Sequence, residues 1–203
     1  ALGRTVSVAD VLQRPTARLL AREDASTVAL AELPPLLRVV ESEQQLTSSP
    51  WPVSWNQSQL LTVHVLDPSS GAYNIPTAHW VTGEAFSVSR CRTAMMSVLQ
   101  RHSVLRTTYE MGSEDDGGYS QSVGGVGDGA IVASAAADTP AAESVASADA
   151  LRGFNLFSTE SVARFSMLSV DKARTLLLAN VHHVAFDGES TGVLMSELSA
   201  QYA

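Results

Sequence analysis

The chain has 203 residues, and 13 Lys and Arg stand against 21 Asp and Glu, which gives a formal net charge of −8 at pH 7. An acidic chain of this length can bury a core, and without a basic stripe it is a poor partner for nucleic acid. Its single cysteine, Cys91, allows no disulfide within the chain, which is typical of an intracellular protein. No apolar run reaches the length of a membrane span, and the first residues lack the basic-then-apolar pattern of a signal peptide. We therefore expect a cytoplasmic protein without a membrane partner.

Residues 1–22 predict a short helical turn and then a helix that begins near Pro15, because proline is favoured at a first helical position. The order of a Val-Ser pair, an Asp, a Pro-Thr pair and a Leu-Ala pair resembles the C-terminal tail of a peptidyl carrier protein domain. An ordinary amphipathic helix at a chain end is the alternative. Residues 23–49 contain a Pro-Pro break and a polar stretch and predict a linker.

From residue 50 onward the sequence has helix and strand patterns. We predict a strand over residues 77–82 and a helix over residues 87–100. The apolar residues of this helix recur at spacings that form one stripe, so we expect Cys91 and Met95 to be core residues and not a reactive thiol or a cofactor contact. The stripe consists of Cys91, Ala94, Met95, Val98 and Leu99.

Between residues 112 and 150 the composition shifts to Gly, Ala, Ser and acidic residues, with few large apolar side chains. Such a stretch buries little surface, so we predict an expanded, flexible loop with room for one short strand near residues 130–133. Residues 162–168 and 174–181 are typical of two strands that form a hairpin. Ordered structure is therefore expected on both sides of a long loop.

Two histidines stand where the second of these strands ends. His182 and His183 follow an apolar run, and Asp187 and Gly188 then supply a turn before a helix that Ser190 can cap. An imidazole can transfer a proton near neutral pH, and a nearby carboxylate can fix its tautomer or hold an arginine. Both histidines could instead be satisfied polar groups, and a zinc or iron site is a third alternative. Because adjacent strand residues point to opposite faces, we expect only one histidine to face a reacting centre.

The pattern His-His-x-x-x-Asp-Gly at residues 182–188 resembles the signature of the condensation domains of nonribosomal peptide synthetases. Those domains belong to a superfamily that includes chloramphenicol acetyltransferase-like enzymes. Residues 101–109 match a second motif of the family, Arg-His-x-x-Leu-Arg-Thr-x-Phe/Tyr, at every fixed position, and residues 73–76 match its Tyr-Asn-Ile-Pro. Residues 54–61 match the first motif in part, since its Arg and Trp are absent. That motif begins the first helix of the family, so the resemblance implies a helix that begins at Ser54.

The resemblance covers residues 50–203 and implies an α/β fold, a mixed sheet flanked by helices that forms the N-terminal lobe of a two-lobed condensation domain. It implies an acyltransferase within a nonribosomal peptide synthetase. That enzyme joins an acyl or peptidyl thioester on an upstream carrier to the amine of an aminoacyl thioester on a downstream carrier. The implied partners are both carrier protein domains and the C-terminal lobe, which has no counterpart in this sequence. The resemblance further implies that no cofactor or metal is bound directly, because phosphopantetheine arrives on the carriers.

The resemblance also implies roles for individual residues. His183 contacts the attacking amine, His182 orients the loop, Asp187 is structural and Gly188 lets backbone approach the thioester. Arg106 supports the loop through an ion pair with Asp187, and a solvated strand residue is the alternative for Arg106.

Other functions stay open. An epimerisation domain carries the same signature, and an acyltransferase of the superfamily can use free acyl-CoA. A truncated, inactive half that only docks a carrier is the non-catalytic alternative.

Overall fold

The computed structural model describes residues 50–112, 118–126 and 130–203. The carrier-like tail (residues 1–22) and the linker (residues 23–49) lie outside the described residues, so both assignments stay predictions. None of the helices in the described ranges is both long and apolar enough to cross a lipid bilayer. In chain order the elements are β1 (Trp51–Pro52), α1 (Trp55–Leu66), β2 (Asn74–Thr82), α2 (Val88–Arg101), a 3-10 turn (Ser103–Arg106), β3 (Thr107–Met111), β4 (Tyr119–Val123), β5 (Ile131–Ala135), α3 (Thr139–Leu151), β6 (Ala163–Ser169), β7 (Arg174–His182) and α4 (Gly188–Tyr202).

A four-stranded sheet in the order β2-β7-β6-β5 is the framework of the fold. β7 pairs antiparallel with β2 on one side and with β6 on the other, while β5 runs parallel to β6. β7 is therefore an interior strand, and most of its residues are buried, as its apolar sequence predicts. Helices lie against both faces of this mixed sheet, which is the α/β class predicted from the sequence.

The side chains of β7 alternate between the two faces of the sheet. Ala179 and Val181 pack in one apolar cluster with side chains of α2 and α4. Leu176 and Leu178 point to the opposite face, where they pack with Ala142 of α3. α2 and α4 thus cover one face of the sheet, and α3 covers the other.

α2 is the helix that the sequence predicts most completely. The Ser87 side chain caps its N-terminus by accepting a hydrogen bond from the N–H of Arg90. Burial raises the pKa of the Cys91 thiol, which disfavours the reactive thiolate. The predicted stripe is buried, and its assignment to the core is confirmed for Cys91, Ala94, Met95, Val98 and Leu99.

β6 and β7 form the predicted hairpin. Their antiparallel pairing runs up to Ser169 and Thr175, and the exposed Asp171 carboxylate closes the turn. It accepts hydrogen bonds from the N–H of Ala173 at 2.8 Å and from the guanidinium of Arg174 at 2.8 Å. The first of these bonds, followed by the second, lowers the pKa of the Asp171 carboxyl.

The flexible loop predicted for residues 112–150 is wrong for much of that interval. β4 pairs with β3 and β1 in a second, three-stranded sheet, and β5 lies where the sequence predicts one short strand. α3 follows, and the Asp138 carboxylate caps it by accepting a hydrogen bond from the N–H of Ala141. Ala142 of this helix is 0 % exposed. Small side chains let α3 approach the sheet closely, so it forms without the large apolar residues that a composition argument requires.

Candidate functional site

The two histidines leave the end of β7 in different directions. His182 is the last residue of the strand, pairs with Asn74 of β2 and is 3 % exposed. His183 follows directly, and its side chain is exposed to solvent. The alternation of side chains along an extended backbone accounts for this difference. Of the two imidazoles, the one of His183 is therefore open to a substrate.

The His182 ring is locked among other rings. Its Nδ1 accepts a hydrogen bond from the backbone N–H of Val184 at 3.1 Å, so the neutral ring carries its proton on Nε2. The rings of His64, Tyr73 and Phe154 lie around it, with centroid separations between 5.9 and 6.2 Å. Burial, together with the charges of two neighbouring histidines, lowers the pKa of His182 to about 4. This ring is thus neutral near pH 7 and holds the loop.

The main chain of His183 is fixed although its side chain is exposed. Its N–H donates a hydrogen bond to the carbonyl oxygen of Tyr73 at 2.8 Å. The next turn is closed by the N–H of Ala185, which donates to the carbonyl oxygen of His182 at 3.0 Å. The imidazole borders a cleft of about 610 Å³, lined also by the first turns of α1 and α4. A cleft of this size is in the range of small-molecule sites.

A hydrogen-bond network fixes the α1 wall of the cleft. Ser54 and Gln57 form a capping box, in which each side chain accepts a hydrogen bond from the backbone N–H of the other residue. The Gln57 amide also donates to the Tyr109 hydroxyl at 3.2 Å and to the Gln121 side-chain oxygen at 3.1 Å. Tyr109 is 1 % exposed, and burial raises its pKa to about 12, so the hydroxyl stays protonated.

Asp187 caps α4, which begins at Gly188. Its Oδ1 accepts hydrogen bonds from the backbone N–H of Ser190 at 2.9 Å and from the Ser190 hydroxyl at 2.6 Å. These bonds, and more weakly the charge of His183, lower the pKa of the Asp187 carboxyl. The sequence allows Ser190 as the cap, but this residue occupies the third helical position and completes a capping box with Asp187.

The ion pair predicted between Arg106 and Asp187 is not among the contacts of either residue in the described part of the chain. The Arg106 guanidinium instead donates to the carbonyl oxygens of Gly124 at 2.6 Å and Gln100 at 3.2 Å. Ser190 lies three residues from Asp187, so it can bind the carboxylate without closing a long chain segment, as an ion pair with Arg106 would require. Arg106 thus ties the segment after β4 to the end of α2.

Gly188 opens α4 with an ordinary backbone conformation, because the glycines with positive φ in the described ranges are Gly83 and Gly118. A Cβ at Gly188 would meet no atom of the described chain within 4 Å. The described chain therefore does not require glycine there. The approach of backbone to a thioester at Gly188 stays a prediction.

The positions of His64 and Phe154 beside His182 are not predicted from the sequence. His64 is 6 % exposed, and its Nε2 accepts a hydrogen bond from the N–H of Leu156 at 3.4 Å. Burial lowers the pKa of His64. A signal for His64 exists, because it follows the buried Leu61 at helical spacing. Phe154 has no such signal, since only the folded chain brings it to His182.

The metal alternative finds no support in the geometry. Within the described ranges, no group of three or more His, Cys, Asp or Glu side chains is arranged to hold a metal ion. The imidazole of His182 is buried and accepts a backbone hydrogen bond, whereas that of His183 is exposed. Of the two histidines, His183 therefore presents an exposed imidazole on a fixed loop.

Comparison with known sequences agrees with the motifs. The condensation domain family model matches residues 49–203. Surfactin synthase subunit 1 of Bacillus subtilis (strain 168) is 29 % identical over 201 residues, which cover 99 % of this chain and 5 % of that protein. Bacitracin synthase 2 of Bacillus licheniformis is 29 % identical over 154 residues, which cover 75 % of this chain and 6 % of that protein. The chain thus spans a small part of these relatives.

Comparison with solved structures gives the same result for the fold. The starter condensation domain of rhizomide synthetase RzmA matches with a TM-score of 0.67 and 20 % identity, over 76 % of this chain and 37 % of that chain. The condensation domain from monacolin K polyketide synthase MokA matches with a TM-score of 0.66 and 22 % identity, over 76 % of this chain and 34 % of that chain. The predicted chloramphenicol acetyltransferase-like fold, present as part of a domain, is confirmed. With motifs, family model and fold in agreement, this chain belongs to the condensation domain family.

Proposed function

We propose that this chain is the N-terminal lobe of a condensation domain in a nonribosomal peptide synthetase, and that the complete domain forms an amide bond. The donor is an acyl or peptidyl thioester on an upstream carrier, and the acceptor is the amine of an aminoacyl thioester on a downstream carrier. One observation carries this proposal: the His183 imidazole is exposed in a cleft while its main chain is held in place. The similarity to surfactin and bacitracin synthases supports it.

The reaction needs one imidazole and no redox chemistry. The amine nitrogen attacks the thioester carbonyl carbon and forms a C–N bond, and the tetrahedral intermediate then breaks its C–S bond. The nitrogen loses one proton, and the leaving sulfur receives one to become a thiol. His183 accepts a hydrogen bond from the amine, which aims the nitrogen lone pair at the carbonyl carbon. The same imidazole can carry the proton from nitrogen to sulfur.

The other residues of the signature act through the loop. The neutral ring of His182 binds the N–H of Val184 and so fixes the turn that presents His183. Asp187 caps α4, which holds the far end of the loop. The open space beside Gly188 leaves room for a substrate carbonyl, where a backbone N–H could stabilise the developing oxyanion.

The partners in this reaction are the two carrier domains and the C-terminal lobe. Phosphopantetheine arms on carrier domains deliver both thioesters, so they are substrates, and the lobe itself needs no bound cofactor. The C-terminal lobe would close the cleft from the other side, and residues 1–22 would end the upstream carrier. The small share of the relatives that this chain spans supports a multidomain setting. We assign the reaction to the cytoplasm, where Cys91 would stay a buried, reduced thiol.

Turnover of the native synthetase that contains this chain, with both carriers loaded, tests the proposal. We expect an amide-linked thioester on the downstream carrier, detected by mass spectrometry. Loss of chirality at the donor α-carbon without amide formation would identify epimerisation instead. An amide formed from free acyl-CoA without the upstream carrier would identify a CoA-dependent acyltransferase. No turnover with any of these substrates would favour a lobe that only docks carriers and would contradict the proposal.

A further inference from the structure

Residues 149–154 form the end of α3 and the turn after it, and we call them the α3 turn. Arg164 of β6 binds this turn through most of its donors, and its side chain is 11 % exposed. Its guanidinium donates to the carbonyl oxygens of Asp149, Arg152 and Gly153 at 3.3, 2.6 and 3.1 Å. Its Nε donates to the Asp149 carboxylate at 3.0 Å. One largely buried arginine thus binds three carbonyl groups of the α3 turn.

Two asparagines on neighbouring strands bind the same turn. Asn180 of β7 donates to the carbonyl oxygen of Asp149 at 2.7 Å. Asn74 of β2 donates to the carbonyl oxygens of Ala150 at 2.8 Å and Arg152 at 2.9 Å. The last carbonyl groups of a helix have no partner within the helix, and these side chains supply partners. The α3 turn is therefore held by three adjacent strands of the sheet.

One link from the α3 turn leads to the ring of His182. The guanidinium of Arg164 lies 3.7 Å from the centroid of the Phe154 ring, which the α3 turn carries and which is 2 % exposed. The Phe154 ring in turn meets the His182 ring edge-on, at a centroid separation of 5.9 Å and an angle of 81°. Such edge-on and cation–π contacts favour particular orientations. The Phe154 ring thus lies between the Arg164 guanidinium and the His182 ring.

The α3 turn also lies directly against the chain that leads into β2. A Cβ added to Gly71 would lie 2.6 Å from the carbonyl oxygen of Leu151, and a Cβ added to Gly153 would lie 2.6 Å from the carbonyl oxygen of Ser69. Both distances are too short for any residue with a side chain, so two glycines permit this approach. The backbones of the two segments are therefore in close contact.

A second link leads from this approach to the main chain of His183. Asn74, which binds the α3 turn, directly follows Tyr73. The carbonyl oxygen of Tyr73 accepts the hydrogen bond from the N–H of His183 at 2.8 Å. A shift of the α3 turn would therefore move the group that holds the His183 backbone.

We propose that Arg164 and Asn74 are positioning residues for His183, and that they act through the α3 turn. Arg164 fixes the ring of His182 through Phe154, and Asn74 fixes the carbonyl group that binds His183. Neither residue lines the cleft beside His183, so neither is a catalytic residue. The proposal rests on the proposed function of His183 in amide formation.

Kinetics of Arg164→Met in the native synthetase gives the first test. We expect kcat to fall about tenfold to a hundredfold, because a small displacement of a reacting group has effects of this size. The KM for both loaded carriers should stay unchanged, since the cleft wall is intact. Arg164→Lys, which keeps the cation over Phe154, should recover part of the loss. Arg174→Met is the matched control, because Arg174 is an exposed arginine of β7 that pairs with Asp171, and it should keep the wild-type kcat.

Nitrogen NMR of the histidine rings in the 203-residue chain gives a readout without turnover. In the wild type we expect His182 to stay neutral, with its proton on Nε2, until the pH falls to about 4. In Arg164→Met its midpoint should move up toward 6.5 as the packing loosens, while Arg174→Met should leave it unchanged. A purely structural role would lower the melting temperature and leave both the His182 midpoint and kcat per folded enzyme unchanged.

The two readouts separate failure of this proposal from failure of the proposed function. Unchanged kcat and an unchanged His182 midpoint in Arg164→Met would overturn the positioning role. A shifted midpoint in a protein whose wild type forms no amide would support the positioning of the loop and refute the proposed function. If Arg164→Met does not fold, Phe154→Leu removes the ring between Arg164 and His182 while keeping apolar volume. The same two readouts then decide.

Discussion

The two faces of the four-stranded sheet are held by different chemistry. On one face, α2 and α4 pack through an apolar cluster that includes Leu99 and Val181. On the other face, α3 adds a smaller apolar cluster, and Arg164 and Asn180 bind the carbonyl groups at its end. Apolar burial is non-directional, whereas hydrogen bonds from a charged group fix an orientation. The α2 and α4 face thus contributes most of the apolar burial, and the α3 face carries the directional contacts that we propose position the histidines.

The largest expected effect concerns the exposed histidine at the end of the sheet. His183→Ala should lower the rate of amide formation by about 10²–10⁴-fold, the usual contribution of a general acid or base. Its side chain is exposed, so the melting temperature should not change. His79→Ala removes an exposed histidine in the middle of β2 and should keep full turnover. Turnover that survives in His183→Ala would mean that the loop is passive.

Core substitutions sharpen the assignment of stability to the α2 and α4 face. Leu99 is 1 % exposed, so Leu99→Ala should lower the free energy of unfolding by about 2–5 kcal/mol. Val145 of α3 is 47 % exposed, and Val145→Ala should change the free energy of unfolding by less than about 0.5 kcal/mol. Urea denaturation measures both. Equal losses in the two variants would mean that burial of Leu99 in the apolar cluster of α2 and α4 does not stabilise the fold.

The pH dependence of the free energy of unfolding tests the burial of His182. Between pH 6.5 and about 4 the unfolded chain binds a proton at His182 and the folded chain does not. The free energy of unfolding should therefore fall as the pH falls through this window, by up to about 3 kcal/mol. The lowered pKa of His64 acts in the same direction.

Chemical denaturation at several pH values measures this dependence, and His182→Gln supplies the comparison. Glutamine does not titrate, so the variant should lose most of the slope above about pH 4. An equal slope in the variant and in the wild type would mean that His182 is not the group that titrates.

The smallest effect concerns the ends of the loop. Asp187→Ala removes a helix cap and should lower the free energy of unfolding, by less than Leu99→Ala does. Arg106 and Asp187 make separate contacts, so the Asp187→Ala and Arg106→Ala losses should add to within about 0.5 kcal/mol in a double-mutant cycle. A larger coupling free energy would support the ion pair between Arg106 and Asp187 that the motif implies.

Features with a local period could be predicted from the sequence. The apolar stripe of α2, the hairpin of β6 and β7 and the divergence of His182 and His183 all follow from spacings within one element. Ser54 is expected to open the first helix, and it does so as a cap. In each case neighbouring residues carry enough information.

Features that depend on distant partners could not be predicted in this way. α3 buries small residues, and its only strong local signals are Asp138 at the cap and Pro140 in the first turn. β4 (Tyr119–Val123) is polar and is ordered by pairing with β3 and β1. Arg164 and Phe154 lie in different elements, so their contact does not follow from the period of one helix or one strand.

We propose that the exposed imidazole of His183 acts on the attacking amine, while the buried imidazole of His182 holds the loop that presents it. Diethyl pyrocarbonate modifies accessible neutral imidazoles, and mass spectrometry locates the modified residue. Near neutral pH we predict rapid modification of His183 that parallels the loss of amide formation, with His182 unmodified. Modification of His182 at the rate of His183 would show that His182 is not buried in solution. Full turnover after His183 is modified would show that His183 does not act in amide formation.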